Sequence, residues 1–477
     1  METGNLKYKP ASYGEIFNIS LPLVISTGSW TAMHFTDRLF LSRYSMDALA
    51  AALPAGVTNF AFLCFFLGIA SYTSTFVAQY FGAGQYKNIG PVVWQGVFFA
   101  IFSAILLLPL IPFSYPIFRL IGHEGEIPRL EAMYFRILCY GMSFHLLTSV
   151  FSGFFVGQGR TRVVMFVNLF AAGFNIVLDY AWIFGKWGLP RWGLRGAAWA
   201  TALSAVLSAL IFIVLFMLPE NRKKFATISG FGFNKRLFLR LLKFGVPNGV
   251  QFMLDISAFT LFVLLVGRLG KLEQTATNIA FNINVFAFMP MIGFSIATST
   301  LVGQYLGRNK PDLASLCVKR VFKLTIGYMS TIALSYILFP GFYVSLYGPR
   351  DNPTLLPEVH RMARILLVYV AFYSFFDAVN LVYCSAIKGA GDTRFVMNVA
   401  VILSLAVVII PSYICCVVYE GSIYLAWSFF TLYIICLAIV FIFRYRGGKW
   451  KKMRVIEMEA QELSAAPGAL SESEVMR

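Results

Sequence analysis

Three carboxylates lie inside apolar stretches of this chain, each with a polar residue four positions earlier: Gln251 before Asp255, Asn175 before Asp179 and Tyr373 before Asp377. A spacing of four places both side chains on one face of a helix, a turn apart, so each acid has a hydrogen-bond partner within reach. Sets of carboxylate, amide and hydroxyl oxygens suit hard cations and protons rather than soft metals. The chemistry implied is reversible loading of a cation. Asp255 is the clearest case, because it falls near the middle of the apolar run 244–266, and about 20 apolar residues suffice to cross a bilayer. A charge at that depth costs at least ~2.5 kcal/mol. A carboxylate so placed either glues two helices together or marks an ion or substrate pathway, and three such pairs favour the second reading. Asn248 extends the polar stripe, and Pro247 can open the backbone bonding locally. Gln274, Asn278 and Asn282 recur at spacings of four on one face of a later run, a pattern that suits a cavity wall. Asp37, beside Arg38 near the end of the first run, reads equally as a helix-end ion pair, and Asp47 reads as an N-terminal cap.

The background against which these acids stand is that of an integral membrane protein. Of 477 residues, 58% are hydrophobic and 13% charged, a balance outside the soluble globular classes. The net charge of +17 falls in short turns between apolar runs rather than on one continuous face, which marks membrane topology and not nucleic-acid binding. The seven cysteines form no CxxC pair and read as small buried hydrophobes. The four histidines show no metal-ligand spacing, and no phosphate-binding loop occurs, so neither an enzyme nor an ATP-driven pump is expected and no cofactor is implied.

The positioning elements are twelve apolar runs, at roughly 16–41, 49–79, 92–118, 131–157, 163–184, 196–218, 244–267, 275–305, 321–346, 359–387, 395–419 and 422–443. Lys and Arg collect in alternate loops with the N-terminus, around Lys87, Arg160, Arg222 to Lys243, Arg308 and Lys388. By the positive-inside rule both termini are cytoplasmic, in a multi-pass protein of a bacterial-type inner membrane. The first run lacks a cleavage site and reads as an uncleaved span. The longest connection divides the spans six and six, giving an N-lobe at 1–218, a basic linker at 219–243, a C-lobe at 244–445 and a polar, disordered and dispensable tail at 446–477. The halves repeat. Ser74-Thr75-x-Val77-x-Gln79-Tyr80-x-Gly82 recurs as Ser299-Thr300-x-Val302-x-Gln304-Tyr305-x-Gly307, and Gly157-x-Gly159-x-Thr161-Arg162 recurs as Gly389-x-Gly391-x-Thr393-Arg394. Six spans being even, the halves share one orientation. The fold expected is all-α, with twelve transmembrane helices in two parallel six-helix lobes related by a pseudo-two-fold axis along the membrane normal, a construction in which transporters bind substrate between the halves.

From the first span to the twelfth the chain resembles the multidrug and toxic compound extrusion (MATE) transporters. The resemblance rests on Pro22-Leu23, Phe35-Thr36-Asp37, Gln79-Tyr80-x-Gly82-Ala83-Gly84, Gly157-Gln158-Gly159-x-Thr161-Arg162, Asn175-x-x-Leu178-Asp179, Gly196 to Thr201, Phe376-Asp377-Ala378 and Lys388 to Arg394. It implies export of amphipathic organic cations in exchange for Na⁺ or H⁺ by a two-lobe protein. It also implies that Asp37, Asn175, Asp179 and Thr201 form a cation-linked cluster in the N-lobe. Asp255, Tyr373 and Asp377 match the cation site of the NorM-like branch, where many members carry Glu in place of Asp255, and Na⁺ is one candidate for that site. A rival on the same architecture is a lipid-linked or metabolite exporter. A monomer surrounded by membrane lipid is expected.

Overall fold

The computed structural model describes residues 8–121, 125–346 and 356–457, and these form helices joined by short turns, with no strand among the described residues. Twelve helices are long and apolar enough to cross a membrane: α1 (Tyr13–Tyr44), α2 (Met46–Gly82), α3 (Tyr86–Leu107), α4 (Ile127–Gly157), α5 (Thr161–Phe184), α6 (Leu194–Phe216), α7 (Lys235–Leu269), α8 (Lys271–Gly307), α9 (Pro311–Leu338), α10 (Pro357–Ala390), α11 (Thr393–Val418) and α12 (Ile423–Arg446). They form two six-helix lobes. Inside a bilayer a helix satisfies its own backbone, which is why almost every apolar run takes this form.

Breaks and caps follow local chemistry. The run expected at 92–118 divides, because Pro109 disfavours helix in the residue before it and a separate helix then covers Leu110–Ile121. Pro340 likewise ends α9 at Leu338 and starts a short helix at Pro340–Ser345. Around Pro411, α11 loosens into wider π turns at Ser404–Ile409 and Ile414–Val418. The second span is capped by Ser45, whose hydroxyl accepts from the Ala48 amide at 3.4 Å, so Asp47 lies inside the first turn instead of capping it. The linker is shorter than the sequence suggests. Only Pro219–Phe225 forms a separate short helix, and α7 begins at Lys235, capped by Asn234, so the basic residues 235–243 extend the seventh span.

The two repeated motifs mark where the lobes meet. Across the interface α1 packs on α8 and α7 packs on α2. A Cβ on Gly68 would stand 2.6 Å from Gly249 Cα, and one on Gly293 would stand 2.7 Å from the Val24 amide nitrogen. At the basic-loop end of the bundle, Gln79 donates to the Gly389 carbonyl at 2.9 Å, while Gln304 donates to the Gly157 carbonyl at 2.7 Å. The two glutamines occupy matching positions of the repeat, and each reaches into the opposite lobe. Gly159 and Gly391, the matching glycines of the second motif, both take the left-handed backbone (φ +78° and +110°) that turns the chain from α4 to α5 and from α10 to α11.

The tail departs from expectation. Residues 449–452 form a turn of 3-10 helix, and Trp450, Val455 and Ile456 are buried in the core at that end. Trp450 donates to the Tyr445 carbonyl at 2.9 Å and stacks on the Tyr445 ring, and the Val455 amide donates to Gln79 Oε1 at 2.8 Å. Apolar side chains placed among polar neighbours order this segment, whereas residues 458–477 lie outside the described residues. Replacing Trp450 with Ala should cost about 3–5 kcal/mol, read as a lower midpoint of thermal unfolding in detergent. An unchanged midpoint would mean that the segment contributes nothing to the fold.

Candidate functional site

Each lobe carries its own carboxylate cluster, with Asp37, Asp179 and Asp377 buried and Asp255 half-buried. In the N-lobe, α1 turns Asp37 inward, 6% exposed, while Arg38 next to it faces out. Asn175 and Asp179, one turn apart on α5, are fully buried. The Asn175 amide lies between the two acids. With the amide turned so that its nitrogen faces the acids, the orientation that satisfies every partner, Nδ2 donates to Asp37 Oδ1 at 3.1 Å and to Asp179 Oδ2 at 3.2 Å, and Oδ1 accepts from the Thr201 backbone amide of α6 at 3.3 Å. Asp37 and Asp179 stand as neighbours on either side of this amide. The four N-lobe residues are therefore brought together, with one difference from the usual reading of a hydroxyl ligand. Thr201 takes part through its backbone, since its hydroxyl donates to the Ala197 carbonyl of its own helix at 3.1 Å. His34 adds a nitrogen 3.9 Å from Asp37 Oδ2, and Tyr134 is an electrostatic neighbour of both acids.

In the C-lobe, Gln251 donates through Nε2 to Asp255 Oδ2 within α7, as the spacing predicts. Asp377 on α10 is the neighbouring carboxylate. The pairing of Asp377 with Tyr373 is not formed. Asp377 has Asn380 as its polar neighbour, and the Tyr373 hydroxyl accepts from Asn284 Nδ2 of α8 at 3.2 Å. Residues four apart on a helix can meet, yet here each finds a better-aimed partner. Tyr373 instead stands beside Asp377 without bonding it, its ring packed at 5.8 Å from Phe430 in an aromatic cluster with Phe262, Phe281 and Trp427. Tyr433 on α12 neighbours Asp255 and Asp377.

One further expectation changes. Asn248 does not extend the stripe toward Asp255, because its Nδ2 donates at 2.6 Å to the Gly68 carbonyl across the lobe interface. Gln274 packs beside Gly267, while Asn278 and Asn282 lie on an exposed face of α8, where Asn282 donates to its own helix at the Asn278 carbonyl. The residue of α8 that reaches the acids' neighbourhood is Asn284, two positions further on. A signal for it existed: the shift that lays Gln79 on Gln304 also lays Asn59 on Asn284, and both asparagines are buried. Lys388 was equally legible as a break in the repeat, since the shift that lays Gly157 on Gly389 sets Val156 against it. Its Nζ donates to Gln251 Oε1 at 2.8 Å.

A two-lobe helical bundle with a carboxylate cluster in each lobe defines a membrane transporter. The MatE family model matches residues 22–181 and 247–414, once in each half. The chain belongs to the MatE family. Among its relatives are the probable multidrug resistance protein NorM of Thermotoga maritima, 26% identical over 450 residues with 93% of this chain and 94% of that protein covered, and the protein of the same name from Pseudomonas aeruginosa, 28% identical over 392 residues with 80% and 78% covered. The fold is similar to a multidrug resistance MATE family transporter of the MOP superfamily solved in an outward-facing conformation, with a TM-score of 0.81 at 20% identity, covering 92% of this chain and 96% of that one. It is equally similar to a MOP superfamily transporter from Pyrococcus furiosus, with a TM-score of 0.81 at 19% identity and the same coverage.

The bridging amide of Asn175 gives a direct test of the N-lobe geometry. Hydrogen bonds to charged groups contribute ~1.5–3 kcal/mol each, so Asn175→Leu should reduce drug resistance at least about tenfold while the protein still accumulates in the membrane. Full resistance at normal expression would remove Asn175 from the working cluster.

Proposed function

We propose that this protein is a secondary active multidrug efflux antiporter that exports amphipathic organic cations in exchange for Na⁺ or H⁺. The observation that carries the reading is the pair of carboxylate clusters inside the bundle, buried Asp37 with buried Asp179 in one lobe and half-buried Asp255 with buried Asp377 in the other. A buried acid is costly to keep charged, and a cation that neutralises it is bound in proportion. When drug and coupling ion compete for linked acids, binding of one weakens the other, and exchange follows from that reciprocity. The relatives named as multidrug resistance proteins support the substrate class.

The ion assignment rests on donor chemistry. The carboxylates of Asp255 and Asp377 and the hydroxyl of Tyr373 are hard oxygen donors, a set suited to Na⁺, whereas Asp37 and Asp179, two acids about one amide, form a set suited to a proton. The end of the bundle bearing the basic loops, both termini and the reciprocal glutamine contacts is cytoplasmic on this reading. The contacts at that end then correspond to a closed inner side. The protein works as a monomer in the inner membrane, surrounded by lipid, with no nucleic-acid partner.

Efflux of a fluorescent organic cation from proteoliposomes, driven in parallel by a Na⁺ gradient and by a pH gradient, tests the coupling. Asp255→Asn and Asp377→Asn should each reduce coupled efflux by about tenfold or more, the scale of one to three units by which a neighbouring charge changes cation loading. Undiminished transport in both variants would sink the C-lobe assignment, and transport of a single metabolite or lipid carrier in place of several unrelated cations would favour the narrow-substrate exporter.

A further inference from the structure

The C-lobe cluster contains a positive charge of its own. Lys388 lies in the last turn of α10, half-buried, and its Nζ donates to Gln251 Oε1 at 2.8 Å. The same Gln251 amide donates through Nε2 to Asp255. Lys388 is also an electrostatic neighbour of Asp255 and of Cys384. A single amide thus holds an ammonium on one side and a carboxylate on the other. An amide that turned its oxygen toward Asp255 would set two acceptors face to face, so the ammonium and the carboxylate together fix its orientation.

The backbone of the same residue belongs to the lobe contact. The Lys388 carbonyl accepts from the Tyr72 hydroxyl of α2 at 2.8 Å, and the next carbonyl, that of Gly389, accepts from Gln79 at 2.9 Å. Both donors belong to the other lobe. Lys388 therefore joins two places with one residue, its ammonium in the cation cluster and its peptide in the contact between lobes.

We propose that Lys388 is a tethered cation of the C-lobe site, which offsets Asp255 through Gln251 while the lobes are joined at this end and which an entering coupling cation must overcome. This rests on the C-lobe cluster being a cation-loading site. Lys388 acts as a positioning and affinity-setting residue. It raises the concentration of coupling ion that is required, and it ties loading at Asp255 to the stretch of α10 that the N-lobe grips.

The test is proteoliposome efflux of a fluorescent organic cation by wild-type protein, K388Q, K388R and D255N, with the inward Na⁺ gradient and, in parallel, the inward proton gradient varied in size. In K388Q the coupling-ion concentration for half-maximal efflux should fall about tenfold or more, the scale of one opposing charge at close range. K388R, which keeps the charge, should shift it far less. A half-maximal concentration that is unchanged or raised in K388Q, or one that moves equally in K388R, overturns the proposal. If K388Q does not accumulate in the membrane, K388M takes its place with the same expectation. D255N separates the two levels: full coupled efflux in D255N defeats the C-lobe reading itself, whereas loss of coupling in D255N with no shift in K388Q defeats only the role given to Lys388.

Discussion

A carboxylate buried among apolar helices must be given partners, and the arrangement of both lobes follows from that requirement. Water is absent, so each unmatched oxygen costs on the order of 1–3 kcal/mol and a bare charge costs more. Asn175 serves two acids at once, and its own oxygen is satisfied by the Thr201 amide, which draws α1, α5 and α6 together. In the C-lobe the corresponding work falls to Gln251, Asn380 and Lys388 on α7 and α10.

The two clusters are solved differently, although the chain repeats. The N-lobe acids share the Asn175 amide, while in the C-lobe Asp255 takes the Gln251 amide and Asp377 stands beside it. The asymmetry begins in the sequence, with an ammonium at Lys388 where the first half has Val156. One fold thereby holds two sites of different charge balance.

How much of this was readable from residues alone depended on whether the partner was local. The twelve spans, the two lobes, Asn175 against Asp179 and Gln251 against Asp255 were legible, because apolar length and a spacing of four express backbone geometry directly. Spacing alone misled at Tyr373, whose hydroxyl meets Asn284, far away in the chain, rather than Asp377. Lys388 was legible as a break in the repeat, but its partner was not, since Gln251 lies three spans earlier. Asn278 and Asn282 share an exposed face of α8, as their spacing of four requires, since helical phase fixes which residues align. The order of the tail at Trp450 and Val455 is set by packing that no local pattern announces.

The interface between the lobes has a property that bears on how such a chain arose. Gly68 meets Gly249 while Gly293 meets Val24, and Gln79 reaches Gly389 while Gln304 reaches Gly157. In each case the partners exchange places under the shift that relates the halves. Contacts in which i meets j and j meets i are those of an isologous surface between identical subunits. The surface that joins these lobes is therefore chemically self-complementary, of the kind by which two separate six-helix proteins would pair. The covalent link through 219–234 adds proximity to a pairing that the surfaces already specify, and it frees each half to diverge, as the ammonium of one and the valine of the other record.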